Sequence, residues 1–142
     1  MLVKDAMNKK VMVIKPNATA REAARAMAKY RIGSLLVIEK NRLVGIVTEL
    51  DIIWKVVAGD LDPNTTLVKD IMTKKVIAIR PNKTLEDATH VMVEKRIKKL
   101  PVLDDKKLVG ILTCTDLVTI QPKLIEALGK LMLFEEKKAV AG

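Results

Sequence analysis

The residues best suited to chemistry form two short runs, Gly45-Ile46-Val47-Thr48-Glu49-Leu50-Asp51 and Gly110-Ile111-Leu112-Thr113-Cys114-Thr115-Asp116. Each reads as an apolar strand turning into a helix. A glycine in such a strand lets another backbone or a ligand approach closely. A hydroxyl and free N–H groups at a helix start suit an anion. A carboxylate three residues on can accept both hydroxyls of a ribose, the use an acidic residue has in dinucleotide sites. Thr-x-x-Asp is equally a capping box, and a single copy most often does only that. Nothing in the chain reads as catalytic. No serine or cysteine nucleophile has a histidine base in a familiar pattern, and no phosphate loop or dinucleotide fingerprint occurs. The single cysteine, Cys114, forbids an internal disulfide and reads as a buried filler. The single histidine, His90, sits mid-helix without a second ligand, so no transition-metal site is expected.

The motif recurs because the whole chain recurs. Val3-Lys4-Asp5-Ala6-Met7 returns as Val68-Lys69-Asp70-Ile71-Met72, and the match runs on without a gap at an offset of about 65 residues, with about 23 of 51 pairs identical. Each copy reads as strand, helix, strand, strand, helix. Val11-Met12-Val13-Ile14 is a strand ended by Pro16-Asn17. Thr19-x-x-Glu22 opens a helix with Ala20, Ala23, Ala24 and Met27 on one face, and Thr84-x-x-Asp87 repeats that signal. Leu35–Ile38 and Leu43–Val47, joined by the polar turn Glu39–Arg42, read as a hairpin. A second helix starts at about Thr48. The fold class expected is α/β (α+β), with tandem βαββα repeats packed about a pseudo-twofold axis. The boundaries read as 1–58 for the first repeat, 59–66 for a linker of turn-rich composition where few contacts cross, 67–120 for the second repeat, and 121–142 for a C-terminal helical tail that covers the core or forms a dimer.

Bulk properties set limits on this reading. At 142 residues each half alone is marginal, so the halves should form one obligate pair. Apolar residues make up 49% and aromatics 2%, so the core must be aliphatic. The start lacks an apolar signal core and no stretch approaches a membrane span, which points to a cytoplasmic protein. The net charge of +9 suits anionic partners from nucleotides to nucleic acid. The lysines are dispersed in pairs and stacking aromatics are scarce, which makes nucleic acid the weaker class.

Taken together, the strand-Pro, the Ala-rich helix, the Arg-Ile-x-x-Leu-x-Val hairpin and Gly-Ile-x-Thr-x-x-Asp, all occurring twice over residues 1 to 120, resemble the CBS-domain family. The pair resembles a Bateman module. The resemblance implies a non-enzymatic regulatory module without a catalytic cofactor. It would bind AMP, ADP, ATP, S-adenosylmethionine or a related adenosine ligand in two clefts between the repeats. Family sites draw on both repeats, so the carry-over is crossed. One cleft takes Met7, Met12, Ile32 and Gly33 with Thr113, Thr115 and Asp116. The other takes Thr48 and Asp51 with Met72, Ile77, Ile97, Lys98 and Lys99. The two aspartates would hold ribose, the threonines ribose or phosphate, and the Met and Ile side chains adenine, with Lys98-Lys99 facing phosphate. The partners implied are an adenosine-type small molecule, a second copy of the chain in a homodimer, and a regulated protein not identifiable from sequence. Two other classes stand beside this reading: a nucleic-acid binder using the basic surface, and a ligand-free structural dimerisation unit.

Overall fold

The computed structural model describes residues 1–122 and 129. In chain order the elements are α1 (Val3–Ala6), β1 (Val13–Ile14), α2 (Ala20–Tyr30), β2 (Ser34–Glu39), β3 (Arg42–Thr48), α3 (Glu49–Asp51) running into a π-helical segment (Ile52–Val57), α4 (Val68–Ile71), α5 (Leu85–Lys95), β4 (Lys99–Asp104), β5 (Lys107–Thr113) and α6 (Cys114–Ile120). The chain is thus a mixed α+β protein of two tandem copies. It folds as two compact units, one spanning Val11–Val76 and the other joining Met1–Lys10 to the chain from Ile77 onward.

These units are offset from the sequence repeats, because each copy's leading segment packs on the body of the other copy. In the unit of Val11–Val76, the Val68 N–H donates to the Ala18 carbonyl (2.8 Å) and Lys69 to Pro16 (3.0 Å), while Ile46 and Thr73 exchange backbone hydrogen bonds (2.9 and 2.8 Å). In the other unit, Val3 donates to Lys83 (2.8 Å), Lys4 to Pro81 (2.9 Å), and Asn8 and Ile111 exchange bonds of 2.8 and 2.9 Å. Neither sequence repeat therefore completes a unit from its own residues. The leading helices α1 and α4 fall outside the five-element reading of each copy, being four residues long and lacking any apolar period.

Within Val11–Val76, β1 runs parallel to β2, and β2 pairs antiparallel with β3 from Ser34 opposite Thr48 to Glu39 opposite Arg42. The β2–β3 turn holds Lys40 and Asn41 at φ 51° and 65°, the two-residue geometry whose twist matches a hairpin. The second unit repeats this with β4 and β5, from Lys99 opposite Thr113, and with Asp105 and Lys106 at φ 51° and 68°. The first strand is shorter than the expected Val11–Ile14. Its second-copy counterpart is reduced to one parallel bridge, Ile79 to Val102.

Thr19 caps α2 by accepting the Glu22 N–H (3.1 Å), and Thr84 and Asp87 form a reciprocal box at α5. Both helices end on an arginine in the left-handed region, Arg31 (φ 53°) and Arg96 (φ 58°). The next N–H, of Ile32 or Ile97, then returns to Met27 or Met92 (both 3.0 Å) and aims the chain into its hairpin.

The cores are aliphatic, as the composition requires. Ala20, Ala23, Met27, Leu35, Val37, Val47, Val56, Val68 and Ile71 fill one. Val3, Leu85, Ala88, Met92, Leu100, Val102, Leu112 and Leu117 fill most of the other, with Cys114 buried among them. The 59–66 linker is more tied down than its composition predicts. Thr66 and Pro63 carbonyls accept the Ala20 and Arg21 N–H groups (2.8 and 3.0 Å), and the Arg21 side chain meets Asn64. Turn-forming residues here cap the open N–H groups at the start of α2. The tail expected over 121–142 lies, from residue 123 on and apart from Gly129, outside the described residues. Among the described residues no helix is long and apolar enough to cross a membrane.

Candidate functional site

Each Thr-x-x-Asp run forms a strand-to-helix turn. Thr48 is the N-cap of α3: its Oγ1 accepts the Asp51 N–H (3.2 Å), and Asp51 Oδ2 accepts the Thr48 N–H (2.9 Å) and hydroxyl (3.2 Å). Thr113 and Asp116 repeat the box at α6 with bonds of 3.1 and 3.0 Å. Reciprocal capping fixes each carboxylate against the helix start, so it is held in one orientation.

The glycine before each turn marks a close approach of protein backbone. A Cβ on Gly45 would sit 2.6 Å from Met72 Sδ and 2.9 Å from the Thr73 carbonyl oxygen. On Gly110 it would meet Met7 Sδ at 2.6 Å and the Asn8 carbonyl at 3.1 Å. Met72 and Met7 therefore lie across the strands that carry the two motifs, brought there by the exchanged leading segments.

The hairpin register brings another pair of expected residues to each turn. The Gly33 carbonyl accepts the Glu49 N–H, and the Lys98 carbonyl accepts the Cys114 N–H, both at 2.9 Å. Within its own unit, Gly33 thus lies beside Thr48 and Asp51, and Lys98 beside Thr113 and Asp116. Lys99 opens β4 opposite Thr113. Thr115 is exposed on the first turn of α6, where α3 has Leu50. Ile32 and Met72 pack half-buried against the core of Val11–Val76, and Met7, Ile77 and Ile97 do the same in the other unit. Met12 is exposed and its carbonyl accepts the Leu36 N–H (3.4 Å). Of the two crossed groups, Met12, Ile32, Gly33, Thr48, Asp51 and Met72 belong to the unit of Val11–Val76, and the remaining eight residues to the other.

Two polar residues at the first turn escaped the sequence reading. Lys55 Nζ lies 3.0 Å from Asp51 Oδ1 and donates to the Ile71 carbonyl at 2.7 Å. Its signal was the Asp51-to-Lys55 spacing of four, which places opposite charges on one helix face. Glu49 was the other: its carboxylate lies against Gly33, with Oε1 3.0 Å from where a Cβ would be. At the matching places in the other unit stand Lys98 and the buried Cys114.

Grooves also occur at equivalent places away from these turns. One of about 490 Å³ runs between Ile79, Lys83, Asp87 and Leu103, and one of about 530 Å³ between Ile14, Ala18, Glu22 and Ile38. The duplication keeps their apolar floors while their polar walls differ. His90 lies on the exposed face of α5, 3.4 Å from Glu94. Among the described residues no three His, Cys, Asp or Glu side chains converge as metal ligands would.

The sequence model of the CBS domain matches residues 3–58 and 68–123. The chain is 36% identical over 119 residues to the CBS domain-containing protein YhcV of Bacillus subtilis, covering 84% of each protein. It is 38% identical over 112 residues to the uncharacterized protein MK0525 of Methanopyrus kandleri, covering 78% of this chain and 57% of that protein. Among solved structures, the CBS domain pair of protein MJ0100, in complex with 5′-methylthioadenosine and S-adenosyl-L-methionine, superposes with a TM-score of 0.70 at 30% identity, covering 84% of this chain and 94% of that one. Two matched domains, the duplicated capped turns and this likeness along most of the chain lead to one conclusion: the chain belongs to the CBS-domain family, as a tandem pair.

Proposed function

We propose that this CBS pair is a cytoplasmic regulatory sensor that binds an adenosine-type small molecule at its Thr-x-x-Asp turns and acts on a partner through the change that binding produces. The observation that carries the reading is the pair of carboxylates, Asp51 and Asp116, each held by a reciprocal cap beside the start of a hairpin. A fixed carboxylate can accept a ribose diol without first losing side-chain entropy, and a lysine such as Lys98 suits a phosphate. The methylthioadenosine and S-adenosylmethionine bound by the MJ0100 pair support the adenosine class. AMP, ADP and ATP belong to the same class and are tested alongside them. The reading assigns no catalytic step.

The same reading includes a homodimer. Leu50, Ile53, Trp54 and Val57 are all exposed along α3 and the π-helical segment, Trp54 by 65% and Val57 by 68%. A contiguous apolar face of this kind marks an interaction surface, and self-pairing about a twofold is the commonest closed solution.

Thermal-shift titration with AMP, ADP, ATP, S-adenosylmethionine and 5′-methylthioadenosine tests the proposal, since a ligand that binds only the folded state raises the melting temperature by mass action. A dose-dependent rise with at least one of them is expected. No rise with any, together with salt-sensitive binding of generic DNA or RNA, would move the function to the basic surface.

A further inference from the structure

The two pseudo-equivalent turns are chemically unequal, and the difference lies four residues after each aspartate. Asp51 is 7% exposed and both its oxygens are engaged: Oδ2 by Thr48, and Oδ1 by the Lys55 ammonium at 3.0 Å. Lys55 is itself anchored, because its Nζ also donates to the Ile71 carbonyl at the end of α4. A cation at a helix C-terminus, bonded to a freed carbonyl, is favourably placed. Asp116 is half-buried and capped in the same way through Oδ2, but the position four residues on is Ile120, which has no charge to offer. The flanking residues differ in the same sense. Glu49 puts a second carboxylate on the turn of Asp51, against Gly33, whereas the matching residue on the turn of Asp116 is the neutral Cys114, whose N–H donates to the Lys98 carbonyl.

A ribose diol binds a carboxylate by donating its hydroxyls to the oxygens. At Asp51 that requires displacing a charge-assisted bond and leaving the Lys55 ammonium with only a carbonyl partner. At Asp116 no charged side chain four residues on has to be displaced, among the described residues of α6. We propose that Lys55 is a built-in lock on the first turn, so that the chain takes one adenosine-type ligand per copy, at Asp116. The lock also ties Asp51 to α4, and through Met72 to the strand that carries Gly45. This inference rests on the adenosine reading above and specifies which of its two turns is open.

Isothermal calorimetry on the full chain with AMP and with 5′-methylthioadenosine tests it. Wild type is expected to bind one equivalent, lost in Asp116→Ala. Lys55→Met, which removes the charge and keeps the apolar stem, should open a second site, tighter on the order of tenfold or more than any residual binding there; adding Asp51→Asn should close it. The reciprocal variant Ile120→Lys, at a surface position 36% exposed, should install the lock on the second turn and weaken wild-type binding on the order of tenfold or more. That variant keeps the test decisive if Lys55→Met folds poorly. Two equal sites in wild type would overturn the lock and leave the adenosine reading standing. So would a loss of AMP affinity in Lys55→Met with methylthioadenosine unaffected, which would make Lys55 a phosphate contact. No heat with either probe in wild type and Lys55→Met would remove the adenosine reading, and the lock with it.

Discussion

Replacing Gly45 by alanine tests how the exchanged leading segments hold the motif-bearing strands. The new Cβ would stand 2.6 Å from Met72 Sδ, 3.0 Å from Met72 Cγ and 2.9 Å from the Thr73 carbonyl oxygen. The methionine is flexible and can swing away for roughly 0.5–1.5 kcal/mol of rotamer strain. The Thr73 carbonyl cannot, because it accepts the Ile46 N–H at 2.9 Å while Thr73 donates back to Ile46 at 2.8 Å. Relieving the contact stretches both bonds or shifts the strand, so the total should fall at about 1–3 kcal/mol, the usual range for overpacking. For a chain near this size each kcal/mol lowers the melting temperature by about 2–4 °C. Differential scanning calorimetry should therefore show a fall of several degrees for Gly45→Ala. Gly110→Ala should fall less, since its nearest backbone atom, the Asn8 oxygen, is farther away at 3.1 Å. An unchanged melting temperature for Gly45→Ala would mean that residues 72–73 do not lie against the strand, and the exchange of leading segments would be wrong.

Further outcomes follow from the caps and the surface. Hydrogen bonds from the Thr84 N–H and hydroxyl hold the Asp87 carboxyl below the ordinary aspartate value, with Lys83 and His90 adding to the effect. The folded-state value is depressed, so the contribution is present above the unfolded value and lost as pH falls through the folded one. Asp87→Asn should accordingly lower the melting temperature at neutral pH, and the gap from wild type should close below about pH 4. A gap that stayed constant from pH 7 to 3 would show that charge plays no part. Trp54→Asp should convert the dimer to a monomer in light scattering without loss of helical signal; a wild type already monomeric at micromolar concentration would remove the homodimer. Thr113→Val should cost about 1 kcal/mol by chemical denaturation, the usual value of an N-cap, and no loss would mean that the Asp116 box does not hold the turn.

Much of this molecule was legible in its sequence because local chemistry and fold agree. Thr19, Thr48, Thr84 and Thr113 all cap the helices that their spacing announces. The Lys40-Asn41 and Asp105-Lys106 turns fall between β-rich runs, as polar two-residue turns should. Part of what stayed hidden depended on contacts distant in sequence. Gly45 and Gly110 signalled a close approach, but only the fold names Met72-Thr73 and Met7-Asn8 as the approaching segments. The π-helical segment at Ile52–Val57, with Ala58 donating to Ile53 and Leu61 to Val56 (both 2.9 Å), leaves no mark in a pattern of apolar residues. Its counterpart α6 stays regular, with Gln121 donating to Leu117 at 2.8 Å. The unequal charge around Asp51 and Asp116 was half visible: Lys98 against Gly33 stood out, while Lys55 against Ile120 lay outside the motif being compared.

The proposed sensor depends on a fixed carboxylate at a capped turn receiving the ribose of an adenosine-type ligand. Parallel calorimetric titrations of adenosine and 2′-deoxyadenosine, which differ only in the 2′-hydroxyl, into wild type and Asp116→Ala provide the test. Wild type should bind adenosine with saturable heat and 2′-deoxyadenosine more weakly, and Asp116→Ala should erase the difference along with most of the affinity. Saturable binding that ignores both the missing hydroxyl and the missing carboxylate would show that the ribose is not held at Asp116.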